Sequence, residues 1–138
     1  MTEKVFVDTN VLVYAHDLDA GTRRDVAASL VRGLWESQQG ILSVQVLQEF
    51  YVTVTRKIPH PIPAARARAM IRNYAQWPVH RNTPSTVCHA SEIQERWRIS
   101  FWDGLIVAAA SESGAGKILS EDFNAGQVLE GILIDNPF

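Results

Sequence analysis

The chain lacks nearly every feature that would place it outside the cell or in a membrane. It has one cysteine, Cys88, so no disulfide framework is open to it and a reducing cytosol is its natural compartment. No apolar run approaches the roughly 20 residues of a membrane helix. The opening residues MTEKVFVD lead straight into an apolar strand without a secretory pattern, so a cytoplasmic protein with no membrane attachment is expected. Internal repeats, low-complexity tracts and linkers are absent too. With 46% hydrophobic and 20% charged residues, the 138-residue chain reads as one soluble globular domain, 1–138. Cys88 lies near the front of a helical stretch and is expected to pack there rather than act as a nucleophile.

A net charge of −2 argues at first against a nucleic-acid partner, but its distribution does not. Between Arg56 and Arg98 stand Arg56, Lys57, Arg66, Arg68, Arg72, Arg81, Arg96 and Arg98 against only Glu92 and Glu95. That middle segment carries +6 and the remainder −8. Ten of the thirteen basic residues are arginine, whose planar fork suits bidentate phosphate contact. Arg56, Arg66, Arg68 and Arg72 are candidates for gripping a phosphate backbone; the plainer alternative is solvated helix faces.

Hydrophobic periodicity predicts alternating strands and helices. Val5 to Val7, Ile41-Leu42, Trp77 to Val79, Lys117 to Leu119 and Ile132 to Ile134 read as short strands. Helices are predicted over Val11 to His16, Thr22 to Gln38, a stretch capped by Ser43, Ala64 to Gln76, a stretch opened by Thr83-Pro84, and Trp102 to Ser113. In the second, Val26, Ala27, Leu30, Val31, Leu34 and Trp35 share one face. Lys57 to Pro63 holds three prolines and reads as a loop. This alternation implies an α/β fold with a parallel sheet covered on both faces, and in such folds working groups gather outside the carboxyl ends of the strands.

Four acids fall where that edge should be: Asp8 in VFVDTNVLVYA, Glu49 in SVQVLQEFY, Asp103 in FWDGLIVAAA and Asp122 in LSEDFNAGQ. Each lies in apolar sequence, where a lone carboxylate is costly to bury. Four from distant segments share a pocket only if a cation neutralises them, which points to a hard divalent metal and phosphate chemistry. Other roles exist for each. Asp8 could be a helix cap, although Thr9 or Asn10 could cap the same helix. Asp103 could be a first-turn acid, although Phe101, Trp102 and Leu105 suggest partial burial. Glu49 has no basic residue at helical pairing distance. Asp122 competes with Glu121, since alternation turns only one of them toward the pocket.

These segments, with the closing ILIDNPF, resemble the PIN-domain nucleases, and most closely the small bacterial toxins of toxin–antitoxin pairs, the VapC-like branch. The resemblance spans essentially the whole chain. It implies a three-layer α/β/α sandwich with a mainly parallel central sheet and a metal-dependent endoribonuclease. Carried over by position, Asp8, Glu49, Asp103 and Asp122 would hold one or two Mg²⁺ or Mn²⁺ ions, with Asn10 and Ser120 as polar support. It also implies an antitoxin partner and a homodimer. Two rivals remain. A phosphohydrolase of the haloacid-dehalogenase type also begins with a strand ending in Asp, but it needs an acid two residues on, where this chain has Asn10. A non-cleaving RNA-binding module with the same pocket is the other.

Overall fold

The computed structural model describes residues 3–138. In chain order the elements are β1 (Val5–Val7), α1 (Thr9–Tyr14), α2 (Thr22–Ser37), β2 (Gly40–Ser43) and α3 (Val44–Val52), which runs on into a π-helical turn (Thr53–Lys57). Then follow α4 (Ala64–Tyr74), β3 (Val79–His80), α5 (Pro84–Trp97), α6 (Phe101–Glu112), β4 (Lys117–Leu119), β5 (Val128–Leu129) and β6 (Ile132–Asp135). No helix is long and apolar enough to cross a membrane among the described residues.

The strands form one six-stranded sheet in the order β3-β2-β1-β4-β6-β5, and only β5 runs antiparallel. From β1 the chain first winds outward through β2 to β3, then returns to lay β4 on the other side of β1. The carboxyl ends of β1 and β4 therefore flank the point where the winding reverses, which is where a parallel α/β sheet opens a crevice. Helices cover both faces, giving the expected α/β/α sandwich. The core is built from Phe6, Val7, Ile41, Leu42, Ile118, Leu119 and Ile134 on the strands, with Val46, Phe50, Ile93 and the run Leu105 to Ala110 on helices. Small residues set the depth of that packing. A Cβ on Gly104 would come within 2.7 Å of the Ala90 carbonyl oxygen, so α6 lies against α5 only because position 104 is bare.

Several predicted boundaries shift for local reasons. α1 begins at Thr9 rather than Val11, because Asp8 itself is the cap and accepts the Thr9 N–H at 2.8 Å. The expectation that Thr9 or Asn10 would relieve Asp8 of capping is thus corrected. Strand β3 starts at Val79, not Trp77; the Trp77 ring turns under Gly40, where a Cβ would meet it at 2.5 Å. The proline loop begins one residue late, since Lys57 closes the π-helical turn. On α2 the buried residues are Ala27 and Val31, while Val26, assigned to the apolar face, is 37% exposed. Cys88, expected to pack, is exposed. Strand β5 was not foreseen: two residues carry no period, and the hairpin to β6 rests on Glu130 and Gly131, both at positive φ (52° and 77°), as tight hairpin turns require.

Candidate active site

Asp8 leaves β1 at the switch point, and its backbone N–H is held by the Leu119 carbonyl of β4 at 3.0 Å. The side chain is only 4% exposed. Its Oδ1 accepts the Thr9 N–H, and its Oδ2 accepts the Ser120 hydroxyl at 2.7 Å. Ser120, fully buried just past β4, also takes the Asp122 N–H at 3.1 Å and a bond from Asn10 Nδ2 at 3.4 Å. Asn10 Oδ1 in turn accepts the Glu121 N–H at 3.4 Å. Asn10 and Ser120 thereby lash the loop after β4 to the start of α1, and so set where Asp122 stands relative to Asp8.

The other two acids arrive on helices. Ser43 caps α3 through the Val46 N–H at 3.2 Å, and Glu49 follows on that helix with its Oε1 bonded by the Thr9 hydroxyl at 2.6 Å. Ser100 caps α6 by accepting the Asp103 N–H at 3.0 Å, which leaves Asp103 half-buried on the first turn. Burial pushes the Asp8 carboxyl up to about 7, against the pull of its Ser120 and Thr9 bonds, and the charges of Asp122 and Glu49 add to the rise. Asp103 is likewise raised by burial, with Asp122 and Glu49 again contributing. Asp122 and Glu49 are thus within electrostatic reach of both Asp8 and Asp103.

Glu121 and Asp122 are told apart by their partners. Glu121 accepts the Tyr14 hydroxyl and pairs with Arg23 at 3.2 Å, a committed surface contact that also raises the Tyr14 pKa. Asp122 instead lines a cavity of about 550 Å³ together with Thr9, Asn10, Tyr14, Glu49 and Lys57. Lys57 is the residue the sequence reading missed. The sequence reads it as part of the proline loop, but the π-helical turn that prolongs α3 brings it to the lining of the cavity that Glu49 and Asp122 also line. Of the arginines proposed for RNA, Arg56 is exposed on that same turn, and Arg66, Arg68 and Arg72 are exposed on α4; none lines the acidic cavity. Arg66 borders a separate hollow beside His16, Arg24 and His60.

Among the described residues, no three Asp, Glu, His or Cys side chains stand close enough to enclose a metal ion directly. The donor set nonetheless fits a hard cation. It offers only oxygen donors, no positive side chain neutralises Asp8 or Asp103, and Mg²⁺ commonly keeps several waters and takes only one or two carboxylates.

Fold and site together define an α/β protein that gathers acidic groups at the switch point of a parallel sheet. The PIN-domain family model matches residues 5–128, and the chain belongs to that family. Among solved structures, it is 25% identical to VapC20 of Mycobacterium tuberculosis, described as a sarcin-ricin loop cleaving toxin, with a TM-score of 0.67 over 86% of this chain and 90% of that one. A toxin–antitoxin complex from Klebsiella pneumoniae superposes with a TM-score of 0.71 at 14% identity, covering 98% of both chains. DNA-bound VapBC from Salmonella typhimurium gives 0.67 at 15% identity over 99% and 100%. The latter two likenesses are of fold alone. No curated protein matches the chain.

Proposed function

We propose that this chain is a metal-dependent endoribonuclease, and that it is the toxin of a toxin–antitoxin pair. The observation that carries the reading is the buried Asp8 carboxyl at the switch point, met by hydroxyl and amide donors and raised further by the charges of Asp122 and Glu49, which act on Asp103 as well. In this reading Asp8, Asp103 and Asp122 hold one or two Mg²⁺ or Mn²⁺ ions directly or through water. A bound cation would supply an activated water near neutral pH and neutralise charge on the phosphate. Glu49, steadied by Thr9, orients the attacking water. Asn10 and Ser120 keep the β1 and β4 ends in register and leave the Asp8 carboxylate its geometry. Lys57 meets a phosphate at the mouth of the cavity, and Arg56 with the α4 arginines follows the backbone farther out.

The similarity to VapC20 supports RNA as substrate. The same proposal takes a small antitoxin protein as partner, since the fold is one that occurs in toxin–antitoxin complexes, and it includes a homodimer and a cytoplasmic setting. An inhibitory segment that crosses the cavity could set a basic side chain among the acids. The haloacid-dehalogenase alternative gains no support: Asn10 is occupied with Ser120 and Glu121, and it cannot protonate a leaving group.

The test is cleavage of total RNA by the purified chain with Mg²⁺, with Mn²⁺ and with EDTA, followed by mapping of the ends. Cutting that needs metal and stops in Asp8→Asn supports the reading. RNA binding without cutting under every condition would leave the non-cleaving module in its place.

A further inference from the structure

Trp102 is the feature that the acidic site does not absorb. The sequence suggested that it helps to bury Asp103; instead it is 65% exposed, more than any other aromatic side chain among the exposed large hydrophobics. Trp77 is buried, Trp35 packs on Tyr74 and Trp77, and Trp97 donates its indole N–H to Glu130 at 3.0 Å. Of the four tryptophans, Trp102 is the exposed one. Leaving so large an apolar surface in water forfeits burial worth more than for any smaller residue, and a ligand or a partner that covered the ring would recover it.

The ring is held rather than loose. Trp102 is the second residue of α6, a helix fixed at its start by the Ser100 cap. The half-buried Phe101 meets its ring edge to face, with centroids 5.4 Å apart at 77°. Its carbonyl accepts a long bond from the buried Gln45 at 3.5 Å, on the helix that carries Glu49. The next residue is Asp103. The flat, exposed face therefore stands one residue from an acid of the site, on a fixed turn.

We propose that Trp102 is a stacking platform for a nucleobase of single-stranded RNA beside the scissile phosphate. This rests on the nuclease reading above and deepens it. A base suits the place because it is the uncharged part of the polymer: carboxylates repel phosphate but not a π-face, and every base presents one. A protein partner's anchor would be ringed by further apolar contacts. Here the apolar neighbours Ile99 and Phe101 are half-buried and packed against the core, Arg98, Ser100 and Asp103 are polar, and the other exposed apolar side chains, such as Leu18, Val87 and Leu133, belong to other segments. A stacked base leaves its edges free, so the platform places the strand without reading its sequence.

The test is binding, not cleavage. The full-length protein in EDTA is titrated with an eight-nucleotide RNA and with the same strand bearing abasic sites, and binding is followed by anisotropy of a terminal label. Trp102→Ala should weaken binding of the intact strand by about fivefold or more, and Trp102→Phe should retain most of it. The two variants and the parent should bind the abasic strand alike. The parent's tryptophan emission should be quenched by the intact strand, and this quenching should be lost in Trp102→Ala. Equal affinity of Trp102→Ala and parent for intact RNA would overturn the proposal. So would an indole already shielded from acrylamide in the free protein and freed only when it dissociates to monomers, since the ring would then lie between copies of the chain. Failure of the nuclease reading is seen separately, as absence of metal-dependent cutting by the parent.

Discussion

Asp8 and Glu112 are both carboxylates drawn into hydrogen-bonded clusters, and they differ in their company. Glu112, at the end of α6, accepts from Thr86 and His80 at 2.8 Å and from His89 at 3.1 Å. Nearby, Glu130 pairs with Arg96 at 2.5 Å and with the Trp97 indole. Burial raises the pKa of Glu112, but its His89, His80 and Thr86 bonds outweigh it and hold the carboxyl below its usual range; Arg96 does the same for Glu130. At the switch point Asp8 and Asp103 find only neutral donors and other acids, and both rise. One cluster is complete within the protein. In the proposed reading the other would be completed by a cation from outside. On that reading the contrast separates an acid that holds the fold together from one kept for chemistry.

The sharpest way to break the comparison is to remove one acid from each side. Asp8→Ala should lower metal-dependent RNA cleavage about a thousandfold or more, since the several kcal/mol of phosphoryl charge stabilisation it helps to supply would go. Circular dichroism should show the fold intact. Glu112→Ala should leave cleavage unchanged and reduce stability by about 1 kcal/mol in urea unfolding, a modest loss because the group is partly open to water. If both variants lost activity equally, the contrast would fail.

The two clusters should also answer pH in opposite senses. Asp8 is raised in the folded state, so in EDTA its contribution to stability is present below about pH 4 and is lost as pH climbs toward about 7. Glu112 and Glu130 are depressed, so their contribution is present above the usual carboxyl range and is lost only as pH falls below it. The melting temperature of the metal-free protein should therefore fall between about pH 4 and about pH 7. Asp8→Asn, which keeps a cap for α1, should flatten that fall. The smallest effect concerns the cavity mouth. Lys57→Ala should weaken RNA binding a fewfold and reduce the salt dependence of binding by about one phosphate contact, while Arg68→Ala, farther out on α4, should do less.

Much of this was legible because the elements are strongly patterned. β1 and β4 are apolar runs ended by acids or turn residues, and the α/β alternation leaves few other ways to cover a parallel sheet. The same pattern leads to the expectation of Asp8, Glu49, Asp103 and Asp122 on one edge, and in the structure Asp122 and Glu49 act on both Asp8 and Asp103. What stayed hidden was set by tertiary contact. The choice between Glu121 and Asp122 depends on Tyr14 and Arg23, distant in the chain. Lys57 reaches the cavity through a π-helical turn with no sequence period of its own. Strand β5 is two residues long and exists through its pairing with β6. Trp102 stands among apolar neighbours that suggest partial burial of Asp103, yet on the first turn of α6 its own ring is exposed.

The central claim is tested most directly by isothermal titration of the protein with Mn²⁺ at pH 6.5 in two buffers of different ionisation heat. The account predicts saturable binding with release of protons, because a carboxyl raised to about 7 must give up its proton as the cation arrives, and loss of both in Asp8→Asn. Binding of equal affinity in parent and Asp8→Asn, or no binding by the parent at all, would contradict it.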